Sequence, residues 1–354
     1  MPDLSELRRF GALESLKACI KTLEDQNTLA ALGRSLVTLD VSSYKTQCAL
    51  HGLEGLRSLQ LGYCETQVGE RIVTFACPSL RGLTSLRVDC CVDDASVACI
   101  GGMTALQDLR GLIVDEVTDY SPLTALVALR TLCVNLKAWT ATPLVDMSAI
   151  AKLTGLRAFE IHGCNRVRNL VPLASLAAFT TLYVSSFCDA DLGPITALTG
   201  LRVLALQNHN RGALAEAEVE DLSPLTALSA LTSLSIDSFP GVAALPWGLP
   251  CGLRHLKIRG CPKVVDLWPL QTLKAVSRMY IGRCPVLDLT PLGALTSLTD
   301  LDVKNIPAED LTPLSALVGL QHLRIRLLEP RDMSLLLAAC TALRNGVCGD
   351  ACTC

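Results

Sequence analysis

The chain has 354 residues, half of them hydrophobic but only 4% aromatic and 18% charged, so aliphatic side chains must fill the interior and disorder over most of the length is excluded. A formal charge of −3 and a pI near 6.0 give no bulk attraction for nucleic acid or an anionic membrane. Mean hydropathy is high at +0.40, yet polar residues interrupt the apolar ones throughout, and no run approaches the ~20 residues a spanning helix needs.

From the N-terminus, Met1 to Phe10 lacks the apolar stretch and small-residue cleavage site of a signal peptide, so the protein is expected to be cytoplasmic, in a reducing compartment. Leu7, Phe10, Leu13 and Leu16 lead into Ala18, and residues 1–35 are expected to form an atypical capping repeat. From residue 36 to 328 each unit ends in an L-x-x-L-x-L phrase. Its last apolar residues are Val41, Leu61, Val88, Val114, Val134, Ile161, Val184, Leu206, Ile236, Ile258, Ile281, Val303 and Ile325. Their spacing runs from 20 to 30 residues, close to a repeat period of roughly 20–29. In L-x-L the two apolar side chains point inward and the residue between them points to the opposite face of a short strand. The clearest unit begins Asp221-Leu222-Ser223-Pro224-Leu225 and recurs from Asp288 and Asp310, with a degenerate copy from Asp146. Ser or Thr before Pro, at Ser121, Ser223, Thr290 and Thr312, predicts a helix start with the hydroxyl capping free N–H groups. Residues 329–354 are expected to be a C-terminal cap and tail, with Cys340, Cys348, Cys352 and Cys354 as free thiols, since they do not form two C-x₂-C pairs.

These phrases resemble the leucine-rich-repeat signature over about residues 36–345. L-x-x-L-x-L with D-L-[ST]-P-L is similar to the bacterial internalin repeats and to the short repeats of phosphatase-regulatory proteins. The resemblance implies an α/β solenoid: a continuous curved parallel sheet on a concave face, with short helices or 3₁₀ turns on the convex face. It also implies an Asn ladder three residues after the last strand apolar residue. Here that position holds Cys64, Cys91, Cys164, Cys261 and Cys284, or bulky residues such as Phe187 and Phe239. Ile258-Arg259-Gly260-Cys261-Pro262 is similar to the cysteine-containing class known from ubiquitin-ligase receptor subunits. The seventeen cysteines are accordingly read as buried free thiols rather than a disulfide framework.

The five histidines, His51, His162, His209, His255 and His322, are dispersed along the chain. There is no H-E-x-x-H pair, nucleophile elbow or phosphate loop. No catalytic site, cofactor or metal is therefore expected. The concave face can be read from the strand alternation. Towards the N-terminus and middle it is mixed or acidic, with Asp40, Arg87, Asp89, Glu160, His162 and Asp237 among its residues. Towards the C-terminus it carries His255, Lys257, Arg259, Arg278, Tyr280, Lys304, His322, Arg324 and Arg326, interrupted by Asp300 and Asp302. Two readings stay open: a solvated face, or a docking patch for an acidic protein segment. Nucleic acid is disfavoured because the patch is short and has only Tyr280 to stack on a base. An Arg column, Arg57, Arg110, Arg130, Arg157, Arg202 and Arg254, is expected to pack its stems along the solenoid edge. Two long connections, Gln207 to Asp221 and Asn135 to Asp146 with Trp139, are candidate binding rims. The expected function is a non-catalytic protein-binding adaptor or scaffold subunit of a larger intracellular assembly. The alternatives are a ubiquitin-ligase substrate receptor and a regulatory subunit or inhibitor of an enzyme such as a phosphatase.

Overall fold

The structure is a computed structural model that describes residues 10–20, 35–43, 52–62, 80–89, 91–114, 117, 119–136, 147–162, 169–185, 191–208 and 219–326. Two compact units divide the chain, Met1–Cys164 and Asn165–Cys354. Trp139, Phe187, Cys64, Cys164, Glu216, Glu218 and the C-terminal cysteines lie outside the described residues.

The first unit contains β1 (Ser15–Ile20), β2 (Thr38–Ser43), β3 (Ser58–Gly62), β4 (Ser85–Val88), β5 (Cys91–Val92), β6 (Asp108–Val114), β7 (Thr131–Leu136) and β8 (Ala158–His162). All pair in parallel, with β5 a short side branch on β6. Register aligns Leu39, Leu59, Leu86, Leu109, Leu132 and Phe159 in one inward column, every one of them buried. Each fully buried Leu contributes about 1.5–3 kcal/mol relative to exposure, and the neighbouring repeat supplies the cover. The cap strand β1 pairs with β2 so that Ala18 faces Val41.

One register residue differs from the sequence reading. β6 bulges between Leu109 and Leu112, and Leu112 faces Val134. The residue in the Val134 column is thus Leu112, buried at 0% exposure, while Val114 pairs in register with Leu136. The cause is an inserted residue: Gly111 takes φ +72°, a conformation that glycine reaches without a Cβ penalty. The same slip moves Arg110 out of the edge column and onto the strand face, where its Nε donates to Asp108 Oδ1 at 2.8 Å.

The second unit contains β9 (Thr181–Ser185), β10 (Val203–Gln207), β11 (Ser233–Asp237), β12 (His255–Arg259), β13 (Arg278–Gly282), β14 (Asp300–Lys304) and β15 (His322–Arg326), again all parallel. Its columns run Leu182, Leu204, Leu234, Leu256, Met279, Leu301, Leu323 and Val184, Leu206, Ile236, Ile258, Ile281, Val303, Ile325. Beyond each of the strands β11 to β14 the chain turns through a left-handed residue: Ser238, Gly260, Arg283 and Asn305. That conformation aims each N–H at the next strand, as in Ser238 N–H to Arg259 O at 2.7 Å and Arg283 N–H to Lys304 O at 2.9 Å.

Return paths are mostly 3₁₀ helices, as at Ser121–Ala125, Ser223–Ala227, Thr290–Ala294 and Thr312–Ala316. The hydroxyl caps expected there are absent. The Asp two residues earlier accepts the Ser or Thr N–H instead: Asp119, Asp221, Asp288 and Asp310 take those bonds at 2.7–2.8 Å. A carboxylate is the stronger acceptor for an N–H at the positive end of a helix turn, which explains the Asp of the D-L-[ST]-P-L phrase. Bonds from the Ser223, Thr290 and Thr312 hydroxyls, and then from these N–H groups, hold the Asp221, Asp288 and Asp310 carboxyls below the usual range.

Candidate functional site

Strand alternation places three rows of side chains on the open face of β11 to β15. The first row is Ser233, His255, Arg278, Asp300, His322; the middle row is Ser235, Lys257, Tyr280, Asp302, Arg324; the last is Asp237, Arg259, Gly282, Lys304, Arg326. The first two rows line a groove of about 540 Å³. All nine of the basic and aromatic residues expected on this part of the face stand in these rows. Arg259, Lys304 and Arg326 belong to the last row, outside the groove lining.

The aspartates that interrupt the basic run in sequence, and Asp237 beside it, are paired with its cations. Asp237 is buried to 1% exposure, and its Oδ2 accepts from Lys257 Nζ at 2.9 Å and Arg259 at 3.2 Å. Burial alone would push the Asp237 carboxyl up. The bonds from Lys257 and Ser238 and the adjacent positive charges outweigh it, and the net shift is downward. Asp300 sits between His322, at 3.0 Å, and Arg278, at 3.7 Å. Lys304 pairs with Asp302 at 2.9 Å. Lys257 and Lys304 flank the Tyr280 ring, with their Nζ atoms 6.0 and 5.6 Å from its centroid, within cation–π range.

Two kinds of group are left to meet a ligand. Arg324 and Arg326 are exposed and have no ion pair among the described residues. Asp302 Oδ1 is buried without a hydrogen-bond partner among the described residues; an acceptor left so costs free energy until a donor reaches it. The groove can therefore take both a carboxylate and a hydrogen-bond donor.

Where it is described, the cysteine ladder follows the expected register in each unit. Cys91, Cys261 and Cys284 are buried and free, and Phe239 fills the equivalent place at 1% exposure. The thiols of Cys261 and Cys284 donate to carbonyl oxygens two residues earlier, Arg259 and Gly282, at 3.5 and 3.4 Å. The hydrogen bond with Cys284, and then burial, push the Cys261 thiol well above its ordinary value. Of the edge arginines, Arg57 and Arg130 do more than pack: each guanidinium donates to a carbonyl of the next repeat, Gly82 and Gly155, at 2.8 Å.

The face of the first unit holds a group that sequence reading did not assemble. Cys133 lies opposite Glu160 in register, and His162 follows two residues on. The donor atoms of all three lie within 4.8 Å of one another. Burial pushes the Cys133 thiol up, against the opposing pull of the Gly111 N–H. The signal available in sequence was the middle position of the T-L-C-V phrase, where a cysteine projects to the open face rather than into the ladder.

No family model matches the chain, and no curated relative does. Among solved structures it is similar to a leucine-rich-repeat protein of Leptospira interrogans, at TM-score 0.65 and 15% identity over 97% of this chain and 91% of that one. An internalin of Listeria monocytogenes matches at TM-score 0.53 and 19% identity, covering 90% and 87%. The functional domain of internalin J from Listeria monocytogenes, described as including a cysteine ladder, matches at TM-score 0.56 and 16% identity, covering 89% and 68%. Among the described residues no helix is long and apolar enough to cross a membrane. With parallel strands at every repeat, 3₁₀ returns and these structural neighbours, the chain has the leucine-rich-repeat fold, carrying cysteine where an asparagine ladder would stand.

Proposed function

We propose that this chain is a non-catalytic protein-binding module whose groove on β11 to β15 takes an acidic, extended protein segment. The single observation that carries the reading is the pairing of unmet groups there. The guanidinium of Arg324, without an ion pair among the described residues, can donate to a carboxylate, and the buried Asp302 Oδ1, without a partner among them, can accept from a donor such as a backbone N–H. Tyr280, held between two lysines, supplies a rigid surface for an apolar stem. The open sheet face offers a row of side chains every ~5 Å, which suits an extended chain crossing several strands. The scaffold role in an intracellular assembly rests on this same surface.

The test is partner capture followed by reconstitution. A protein captured by the full chain and identified by mass spectrometry is purified, and its binding is measured against wild type and an Arg324→Glu/Arg326→Glu variant. Neither guanidinium has an ion pair among the described residues, so the variant is expected to keep its structure, which circular dichroism checks. Exposed pairs contribute ~0.2–1 kcal/mol each and reversal adds repulsion, so affinity should fall by about tenfold, ~1.4 kcal/mol. Unchanged affinity in a folded variant refutes the groove as the docking site.

A further inference from the structure

We propose that Cys133, Glu160 and His162 form a binding site for a thiophilic divalent transition metal, of which zinc is the first candidate. The inference is independent of the groove on β11 to β15, since all three residues belong to the first unit.

The geometry comes from two adjacent strands. Cys133 on β7 and Glu160 on β8 are direct cross-strand partners, and His162 is two residues beyond Glu160 on the same face. Their sulfur, oxygen and nitrogen donors lie within 4.8 Å of one another, and His162 Nε2 is 3.6 Å from Glu160 Oε2. In a tetrahedral zinc site with bonds of ~2.0–2.3 Å the ligand atoms stand roughly 3.3–3.7 Å apart. Closing the present spacing takes about 1 Å of side-chain movement, within reach of a glutamate with three rotatable bonds.

The donor set selects the ion. Calcium and magnesium want six or more oxygens, and only one carboxylate is offered here. One thiolate, one imidazole and one carboxylate suit zinc and its neighbours cobalt and nickel. Three protein donors leave a fourth position for water. His162 and Glu160 are each about a third exposed, at 35% and 31%, so an ion can enter from solvent.

The surroundings are arranged for a cation despite two nearby arginines. Arg110 is bonded to Asp108 at 2.8 Å and Arg87 to Asp89 at 2.9 Å, so each positive charge is met by its own carboxylate. The donors Cys133 and Glu160 then remain as the net anionic pair once the thiol ionises. The β6 bulge also serves the site: its inserted Gly111 presents an N–H to the Cys133 sulfur. A backbone N–H on a ligating sulfur is the outer support that metal thiolates use, and bulges recur beside functional sites because they re-aim groups in this way. On binding, the Cys133 S–H bond breaks, its proton goes to solvent, and sulfur donates its electron pair to the metal. His162 binds through an unprotonated ring nitrogen, and no electron transfer is involved.

The experiment uses the full chain, reduced and freed of metal by chelation, and titrates it with cobalt(II) chloride. Wild type should develop visible ligand-field bands and a near-ultraviolet thiolate-to-cobalt charge-transfer band, both abolished by added zinc chloride. Cys133→Ser should lose the charge-transfer contribution of this site and bind one equivalent fewer. His162→Ala should weaken that equivalent by more than about tenfold. Circular dichroism verifies folding, and His162→Gln, which keeps volume, replaces any variant that fails it. Two results overturn the proposal: no cobalt bands in wild type, or identical stoichiometry and spectra in folded variants, which would place the metal on other thiols.

Discussion

At the scale of single residues the fold turns on Asp237. A carboxylate almost wholly removed from water is stable only because Lys257, Arg259 and Ser238 all donate to it. Breaking one side of such a set leaves an uncompensated charge. Lys257→Glu should therefore destabilise the chain by about 1–3 kcal/mol in urea unfolding, whereas Arg324→Glu should leave the midpoint unchanged. The carboxyl of Asp237 is held below its ordinary value of 3.8. Its contribution is accordingly complete above that value and is lost as pH falls through the lower folded one. Wild type should exceed Asp237→Asn in stability at pH 7, with the gap closing towards pH 3. A gap that stays constant with pH would contradict the ion pairs. Strand alternation alone read Asp237 as outward, and outward it is; what buries it is a pair of long side chains from the next strand, a relation between repeats that local spacing does not carry.

At the scale of elements the inward columns were readable because period-two alternation and the repeat spacing both depend only on neighbours in sequence. Leu59, Leu234 and Ile258 lie where the phrase L-x-x-L-x-L puts them. The bulge in β6 was not readable, because Gly-Leu-Ile-Val offers several apolar residues for the same column and only pairing with β7 decides between them. Gly111→Ala tests that account. A Cβ there would collide with the Asp89 side chain and stand 3.2 Å from Val88 O, at a φ of +72° that an L-residue seldom takes. The expected cost is about 1–3 kcal/mol, read as a lowered thermal midpoint. A neutral result would mean that β6 runs without the bulge. The caps show a related limit: Ser and Thr before Pro marked the right positions, but the acceptor is the Asp two residues upstream. Asp310→Ala should thus lower thermal stability more than Thr312→Val does, and the reverse order would restore the hydroxyl as the cap.

At the scale of the whole molecule, the repeat architecture and the residues sharing each open face were legible, since within each unit residues at one position of successive repeats fall in one register row. The charge balance of that face was not, because it depends on which aspartate each cation meets. Buried Cys261 and Cys284 should resist alkylation in the native chain and react after denaturation. The claim that binding uses the open face of β11 to β15 is tested most directly by hydroxyl-radical footprinting of the full chain with and without its purified partner. The account predicts that Tyr280, His255 and His322 lose reactivity in the complex, while the exposed Trp247 and Trp268, which lie on the return paths, keep theirs. Protection of the two tryptophans with Tyr280, His255 and His322 unchanged would contradict it.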